Sequence, residues 1–483
     1  MSEELAFASA TRLAELVRAK KVGAVELLDM FLDRIERLNP ALNAVIQLQV
    51  DVARKAAASR DAETKRDESC GPFHGVPMTV KESFDIPGLP TTWGLPEYAG
   101  HIPNEPALAV TRFERAGAVV FGKTNVPVSL ADWQSFNPIY GTTNNPWDAG
   151  RTPGGSSGGS AAALAAGLTA LEIGSDIGAS IRNPAHYCGV YGHKPTFEIC
   201  SRDGHLLPGS YAHGDISVIG PLARSAQDLE TMLDVMAGGN AVEARAWTLT
   251  LPRSDKTKFS DFRVAVMTAA ETAPVDKAVR KRIEDVATFL REQGASVDMD
   301  ARPTDPDAAH EAYITLLRSA TSGRMDESVH AKLAASREGQ KGRSDYFAWH
   351  TLANTMSHRE WLHWDNERHR MRHEWEHFFK RFDLLLCPTA ATTAFPHAQT
   401  GERWERMIDV DGTPQPTTTQ LFWAGYSGVV FLPSTVAPIG LADDGLPVGV
   451  QIIAPQYRDY DAIRFAQLLE RDYGGFTPPP GFS

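Results

Sequence analysis

The sequence predicts a single α/β/α layered domain with a central twisted, mixed and mostly parallel sheet that helices cover. First, short apolar runs such as residues 118–121 end in glycine, which is typical of buried strands. Second, residues 264–299 form a strand–helix–strand pattern, a unit that usually joins parallel strands. Third, no linker rich in proline or serine divides the 483 residues, which favours one interwoven domain over several.

The elements follow in order along the chain. Apolar residues at a 3.6-residue period predict one helix over residues 10–38, which ends before Pro40. Strand patterns at 384–386, 429–432 and 448–453 lie near the end. We expect an N-terminal helical region at residues 1–65 and a motif-rich catalytic core at 66–225. A variable lid region of polar, His- and Trp-rich helices is expected at 300–380, and the chain is expected to return to the sheet at 381–483.

Composition narrows the classes of function. The net charge of −12 disfavours binding to nucleic acid or to anionic membranes. The acidic N-terminus is unlike a signal peptide, and the longest apolar stretch, residues 161–171, is too short to span a bilayer. The four cysteines show neither a disulfide framework nor zinc spacing. We therefore expect a cytoplasmic enzyme with a small-molecule substrate and no nucleic-acid or membrane partner; a homodimer stays open.

Residues 154–160 read Gly-Gly-Ser-Ser-Gly-Gly-Ser and allow several interpretations. A flexible linker is one, but ordered-looking segments adjoin it on both sides. A phosphate-binding loop fails because no Gly-Lys follows. Residues 155–159 match the nucleophile elbow G-x-S-x-G, yet the elbow needs a buried strand directly before it, and a Pro/Asn/Gly-rich loop stands there. The elbow match is therefore interpreted as chance.

Residues 373–377 match the zinc-protease pattern H-E-x-x-H, which competes with any metal-free interpretation. Two histidines at i and i+4 do share one face of a helix. However, five histidines crowd residues 358–377, and no third ligand follows them. A surface or lid helix is the interpretation we adopt, and we expect no metal and no cofactor.

Motifs spread over most of the chain resemble the amidase signature family. They are the glycine–serine segment, the Gly-Ser-Asp-Ile-Gly-Ala-Ser-Ile-Arg segment, and shorter flanking motifs, at residues 75–81, 122–125, 140–147, 151–160, 174–182, 188–196, 220–225 and 445–451. The likeness is weak over 300–380. It implies a hydrolase of linear amide bonds with the amidase signature fold.

The resemblance also implies roles for single residues. Ser180 would be the acylated nucleophile, Ser156 a bridging serine on a cis peptide after Gly155, and Lys81 the base. The backbone N–H groups of Ile177, Gly178, Ala179 and Ser180 would form an oxyanion hole. Chemistry supports these roles, since serine needs a proton acceptor, and a lysine with an ordinary pKa of about 10.4 must be desolvated to act as one.

Other residues near the serines have open roles. Ser157 could assist the reaction. Asp176 and Arg182 bracket the nucleophile, as a structural ion pair or in direct contact with substrate. Ala179 stands where the family usually has glycine; a positive φ there would cost on the order of 1 kcal/mol, and we hypothesise that its side chain shapes the acyl pocket.

Aromatic and amide side chains outside the motifs suggest the substrate. Three segments are expected to wall a pocket for an apolar or aryl amide: residues 132–136, the His- and Trp-rich residues 345–380, and residues 422–426. The side chains expected to line it are Trp133, Gln134, Phe422, Trp423 and Tyr426. Core packing explains the same residues equally well. Three further alternatives stay open: a carbamate or ester hydrolase with the same residues, a transamidating subunit that works with partner subunits, and a non-catalytic binding protein.

Overall fold

The computed structural model describes residues 4–69 and 71–482 as an alternation of helices and strands. The α-helices are α1 (Glu4–Phe7), α2 (Ala10–Arg18), α3 (Ala24–Leu42), α4 (Val50–Lys65), α5 (Leu108–Arg115), α6 (Gly158–Ala165), α7 (Arg182–Cys188), α8 (Ala226–Met236), α9 (Lys277–Glu292), α10 (Pro306–Thr321), α11 (Glu327–Ser336), α12 (Tyr346–Asn354), α13 (His358–Phe379), α14 (Leu421–Gly428) and α15 (Asp459–Asp472). The strands are β1 (Val45–Leu48), β2 (Pro77–Lys81), β3 (Val119–Thr124), β4 (Phe136–Asn137), β5 (Gly141–Thr142), β6 (Glu172–Asp176), β7 (Tyr191–Lys194), β8 (Val218–Ala223), β9 (Arg263–Val266), β10 (Ser296–Asp298), β11 (Leu384–Pro388), β12 (Met407–Val410), β13 (Thr413–Pro416), β14 (Ser434–Leu441) and β15 (Pro447–Ile453). Short 3-10 helices occupy Pro96–Tyr98, Val128–Leu130, Glu243–Arg245, Phe259–Asp261, Ser322–Arg324, Arg337–Gln340 and Thr417–Gln420.

A large mixed sheet with the order β10-β9-β11-β15-β14-β7-β8-β6 forms the centre, and helices flank it. This confirms the predicted α/β fold. The expectation of mostly parallel strands is wrong, because only β9 pairs in parallel, with β10 and β11, and the remaining neighbours run antiparallel. The prediction generalised from the one strand–helix–strand unit, whereas β14 and β15 are joined by a tight turn at Gly445, which only antiparallel strands allow.

A second, three-stranded sheet of order β1-β3-β2 carries the other half of the site. Strand β2 runs parallel to β3 and lies next to β6, the edge strand of the large sheet. Thr79 of β2 joins the two sheets, since its N–H donates to Thr169 Oγ1 at 2.9 Å and its hydroxyl donates to the Glu172 carboxyl. The end of β2 is thereby held beside the end of β6.

Two local predictions are wrong. Residues 10–38 form two helices, because the chain breaks at Lys20, with φ 58°, and Gly23 starts α3 with its N–H bonded to the Glu26 carboxylate at 3.2 Å. Helix α3 then continues through Pro40 to Leu42. Residues 429–432 are not a strand but the turn after α14, where Phe431 has φ 68°. Their apolar side chains would be buried in a strand as well as in this turn, so the hydrophobic pattern does not distinguish the two structures.

Helices α10 to α14 pack together over one side of the molecule. Helix α14 can approach α10 closely because Gly425 has no side chain; a β-carbon there would overlap the ring of Tyr313. Among residues 4–69 and 71–482, no helix has both the length and the apolar character needed to cross a membrane.

Candidate active site

Strand β2 ends in Lys81, whose side chain is fully buried. Its Nζ donates to Ser156 Oγ at 2.6 Å and to Ser175 Oγ at 3.0 Å. Burial lowers the pKa of Lys81 to about 7, against the opposing charges of the nearby carboxyl groups. A large fraction of this amine is therefore neutral at physiological pH and able to accept a proton.

The glycine–serine segment 154–160 is buried along its whole length, which excludes a flexible linker. The peptide between Gly155 and Ser156 is cis. The Ser157 N–H donates to the Ser180 carbonyl at 3.0 Å. Ser157 thus connects the segment to the turn 177–181, which is called the nucleophile turn below after the role predicted for Ser180. Helix α6 starts at Gly158, and no strand directly precedes the segment in the described chain, so the elbow interpretation fails as expected.

Ser180 lies in the turn 177–181 between β6 and α7, and its residue is 5% exposed. Tyr313 Oη donates to the Ile177 carbonyl at 2.8 Å, and Trp133 Nε1 donates to the Gly178 carbonyl at 2.7 Å. Because the N–H of a trans peptide points opposite to its carbonyl, these two bonds fix the directions of the next N–H groups. Tyr313 therefore turns the Gly178 N–H away from α10.

Three of the four N–H groups predicted for the oxyanion hole are available. Those of Ile177, Gly178 and Ser180 have no hydrogen-bond partner within residues 4–69 and 71–482, and these three residues line one cavity. The Ala179 N–H instead donates to Asp176 Oδ1 at 3.0 Å, so the expectation that it serves an oxyanion is wrong. The Asp176 carboxylate, at the end of β6, accepts this N–H and keeps it from an oxyanion in the cavity.

Asp176 and Arg182 form an ion pair at 2.9 Å with both side chains buried. Asp176 also accepts the N–H groups of Ile181 and Arg182 at 3.1 and 3.3 Å, and Arg182 Nη1 reaches the Ala424 carbonyl at 3.1 Å. Neither residue lines the cavity. The pair therefore closes the nucleophile turn and ties it to α14, which is the structural alternative of the two considered.

Ala179 has φ 67°, in the left-handed region where glycine is at ease. Its residue is 1% exposed, belongs to the buried core and does not line the cavity. The hypothesis that it shapes the acyl pocket is therefore not supported by its position.

Within the described residues, the side chains of Ser156 and Ser180 are not joined by a direct hydrogen bond, although both line the same cavity. A serine hydroxyl reorients by rotation about χ1, and contacts of this kind often tighten only around a substrate.

The cavity has a volume of about 750 Å³. Most of its walls come from the nucleophile turn and from three other segments, within residues 129–133, 202–217 and 317–325. Trp133 lines it, as predicted. Gln134 does not, because it is 1% exposed and both donates to and accepts from the backbone of Ala398.

The structure places Phe422, Trp423 and Tyr426 in the core, so the prediction that they line the pocket is wrong. Their rings pack on one another, with centroids 4.8 and 5.6 Å apart, and Tyr426 packs on Trp375 of α13 at 5.3 Å. Of the residues in α14, only Leu421, at its start, faces the cavity. Because α14 packs closely on α10, the aromatic side chains of α14 are buried and do not reach the cavity.

Sequence reasoning missed Ser175 and the cavity segment 202–217, and it placed α10 in the predicted lid region without naming the residues of α10 that line the cavity. Ser175 precedes Asp176 in a recognised motif, so its place next to Lys81 could have been suspected. Residues 202–217 carry only turn signals in the sequence. Of the His- and Trp-rich residues 345–380, only His350 and Asn354 line the cavity.

The histidines of the H-E-x-x-H pattern lie on α13. His373 is exposed beside Glu376, at 3.3 Å, and Glu374 accepts from Thr304 Oγ1 at 2.6 Å. No group of three or more His, Cys, Asp or Glu residues is gathered as metal ligands anywhere in residues 4–69 and 71–482.

Comparison with known proteins gives one consistent picture. A family model described as Amidase matches residues 26–462. An acylamidase from Rhodococcus erythropolis is 31% identical over 478 positions, covering 97% of this chain and 96% of the relative. A glutamyl-tRNA(Gln) amidotransferase subunit from Acidothermus cellulolyticus is 31% identical over 495 positions, covering 96% and 94%. The solved structure of a bacterial aryl acylamidase of the amidase signature (AS) enzymes family has a TM-score of 0.78 and 25% identity, and covers 96% of each chain.

Proposed function

The chain belongs to the amidase signature family, and we propose that this amide-hydrolysing enzyme cleaves its substrate through an acyl-enzyme on Ser180. The observation that carries the proposal is the 2.6 Å contact of a fully buried Lys81 with Ser156, in the cavity that Ser180 also lines. A desolvated lysine beside a serine is a way to make a weak nucleophile reactive without a metal.

Acylation would begin with neutral Lys81 taking the Ser156 proton while Ser156 takes the proton of Ser180. The Ser180 oxygen attacks the substrate carbonyl, a C–O bond forms, and the carbonyl oxygen becomes an oxyanion. The N–H groups of Ile177, Gly178 and Ser180 would donate to it, a contribution that is usually the largest single one. When the C–N bond breaks, the proton returns from Lys81 through Ser156 to the leaving nitrogen.

Deacylation would repeat the relay with water. Water gives its proton through Ser156 to Lys81 and attacks the acyl carbonyl, the ester bond to Ser180 breaks, and Ser180 recovers the proton. Ser175 supports this cycle: a neutral amine that donates one hydrogen bond to Ser175 can turn its lone pair toward Ser156.

The substrate class within amides is a separate matter. Of the aromatic residues that suggested an apolar or aryl amide, only Trp133 lines the cavity, so these residues give little support to that class. Carbamates and esters would use the same residues. One relative is a subunit of an amidotransferase, so the alternative function is a transamidating subunit, which passes on the ammonia released from an amide and whose turnover would require partner subunits.

A hydrolysis panel of aliphatic amides, anilides, carbamates and esters tests the proposal, together with a fluorophosphonate label. We expect amide turnover and a label on the peptide that contains Ser180. Ser180→Ala should lose both, with kcat falling by about 10³-fold or more. Ser59→Ala, at an exposed serine of α4, is the matched control. A label that persists in Ser180→Ala would disprove the assignment, and folded protein without any label would revive the binding-protein alternative.

A further inference from the structure

The cavity beside Ser180 carries unbalanced positive charge. Four arginines that line it form no ion pair with a carboxylate of the described chain: Arg202, Arg318, Arg324 and Arg403. Two carboxylates line the cavity, and each forms an ion pair with an arginine that lies outside the cavity lining. Asp132 pairs with Arg406 at 2.5 Å, and Asp215 pairs with Arg368 at 2.7 Å. The cavity therefore attracts an anion.

Arg318 is the strongest member of this set. It lies on α10, is 5% exposed, and its Nε has no hydrogen-bond partner in the part of the chain that the structure describes. Its guanidinium packs over the ring of Tyr346, 5.5 Å from the centroid. Burial and the neighbouring Arg403 lower its pKa to about 10, so the side chain stays charged at neutral pH. A buried charge without a counter-ion is costly unless a ligand supplies one.

Arg403 lines the same cavity and stands close enough to Arg318 for its charge to lower the pKa of Arg318. It is half-buried, and its Nη1 donates to the Ala131 carbonyl at 2.6 Å, which fixes the guanidinium at the cavity wall. His350 lies beside both, and burial together with the two arginines lowers its pKa to about 3. Two like charges brought together next to a neutral histidine are stabilised when an anion binds between them.

The other two arginines are better compensated. Arg202 lies near Asp215 and Glu198, and its Nη1 donates to the Gly214 carbonyl at 2.5 Å. Arg324 is exposed and packs over the Trp93 ring at 4.8 Å. The Arg318–Arg403 pair is therefore the place for the anion.

The pair is remote from the reacting carbonyl. On α10, Tyr313 contacts the nucleophile turn, and Arg318 comes five residues later, about 7.5 Å farther along the helix axis. A ligand that reaches both must therefore hold its anionic group several atoms away from the scissile bond.

We propose that the enzyme's preferred substrates are amides that carry a carboxylate several atoms from the scissile carbonyl, bound by Arg318 and Arg403. This inference rests on the proposed function of the site. A guanidinium matches a carboxylate with two parallel hydrogen bonds, so the pair would both hold the substrate and set its register on Ser180.

Matched substrate pairs test the inference and locate the carboxylate. Adipic acid monoamide against hexanamide places it in the acyl part; N-acetyl-6-aminohexanoate against N-hexylacetamide places it in the amine part. We expect kcat/KM to be about tenfold or more higher for the charged member of at least one pair. Arg318→Gln and Arg403→Gln should each bring that ratio toward one. Arg343→Gln, at an exposed arginine paired with Asp345, should leave the ratio unchanged.

A measurement on the unaltered enzyme guards against a variant that fails to fold. Adipate, which has no scissile bond, should inhibit hydrolysis of hexanamide competitively. Equal rates within both pairs and no inhibition by adipate, with neutral amides still cleaved at Ser180, would overturn the inference and leave the proposed function standing. A charged preference that survives in both arginine variants would also overturn it. Loss of all amide turnover and of the Ser180 label would instead count against the proposed function.

Discussion

At the scale of single residues, a low lysine pKa does not by itself identify a base. Burial lowers the pKa of Lys194 to about 7 and of Lys123 to about 8, as it does for Lys81. Lys123 donates to the Pro90 carbonyl and the Thr91 hydroxyl, and Lys194 donates to the Pro195 carbonyl, so both brace backbone. Of these three lysines, only Lys81 contacts a serine that opens on the cavity. The contacts of the amine, and not its pKa, therefore distinguish the candidate base from the two structural lysines.

The pKa of Lys81 predicts the pH dependence of the reaction. As a base, Lys81 must be neutral, and its pKa of about 7 means that the neutral fraction rises as pH rises through 7. We expect kcat/KM for a neutral amide to increase about tenfold per pH unit below this pH and to level off above it. Rates measured from pH 5.5 to 9, with circular dichroism at each pH as the folding control, check this. A rate that still rises tenfold per pH unit between pH 8 and pH 9 would contradict a desolvated lysine.

Ala179 predicts a divergence between stability and selectivity. With φ 67°, replacement by glycine relieves about 1 kcal/mol of strain but adds a similar unfolded-state entropy, so Ala179→Gly should change the free energy of unfolding by less than about 1 kcal/mol. Ala179→Val adds a β-branch at positive φ and should cost about 2 kcal/mol or more. Urea unfolding measures both variants.

The same glycine variant should keep its ratio of rates on small and bulky acyl groups, because Ala179 does not line the cavity. A changed ratio would restore the idea that this side chain shapes the acyl pocket.

At the scale of elements, the nucleophile turn is held from outside itself. Strand β6 supplies Asp176 and helix α7 supplies Arg182, which reaches α14 at Ser427 Oγ, 3.0 Å away, and β15 at Gln451 Oε1, 2.5 Å away. Helix α10 holds the other side through Tyr313. The peptide planes around Ser180 are therefore fixed before a substrate arrives, which is what electrostatic stabilisation of an oxyanion requires.

Tyr313 is a positioning residue in this arrangement, and Tyr313→Phe isolates its role. The ring still packs on Gly425, but the hydrogen bond to the Ile177 carbonyl is lost and the Gly178 N–H is less well directed. We expect kcat to fall about 2- to 10-fold with little change in KM, as for one lost neutral hydrogen bond. Steady-state kinetics measure it, with Tyr457→Phe at a half-exposed tyrosine as control. A rise in KM alone would point to substrate contact instead.

How far the sequence predicts these elements depends on how local their cause is. The motifs around Lys81, Ser156 and Ser180 locate the candidate residues, because each motif is a short turn or strand end with fixed chemistry. The side of α14 that faces the cavity is not local: Gly425 and Tyr313 decide it together, 112 positions apart by their numbering, and eight helical residues alone do not. The Ala179 N–H bond to Asp176 likewise depends on backbone geometry that no pattern encodes.

At the scale of the whole molecule, the proposed base and the proposed nucleophile come from different sheets. Lys81 ends β2 of the small sheet, and Ser180 follows β6 at the edge of the large one. Thr79 and Glu172 hold these two strand ends together. The site therefore exists only when both sheets are folded and joined, and a buried lysine at that junction destabilises the fold that supports it.

Lys81→Met should therefore remove activity and add stability, more so at low pH. The pKa of Lys81 falls from 10.5 to about 7 on folding, so between pH 7 and pH 10.5 the unfolded chain binds more protons and stability rises with pH. The penalty is complete below pH 7 and vanishes above 10.5. Methionine fills a similar volume without the cost of burying a charged amine. The gain in the free energy of unfolding from Lys81→Met should therefore be about 3 kcal/mol larger at pH 6 than at pH 9.

Urea unfolding at the two pH values measures this difference, with Lys332→Met at an exposed lysine of α11 as the matched control. The loss of the Lys81 hydrogen bonds to Ser156 and Ser175 lowers stability at both pH values and cancels in the comparison. An advantage that is equal at pH 6 and pH 9 would mean that Lys81 keeps an ordinary pKa in the fold. It could then not serve as a base near neutrality, because the same desolvation that costs stability makes the amine available to Ser156.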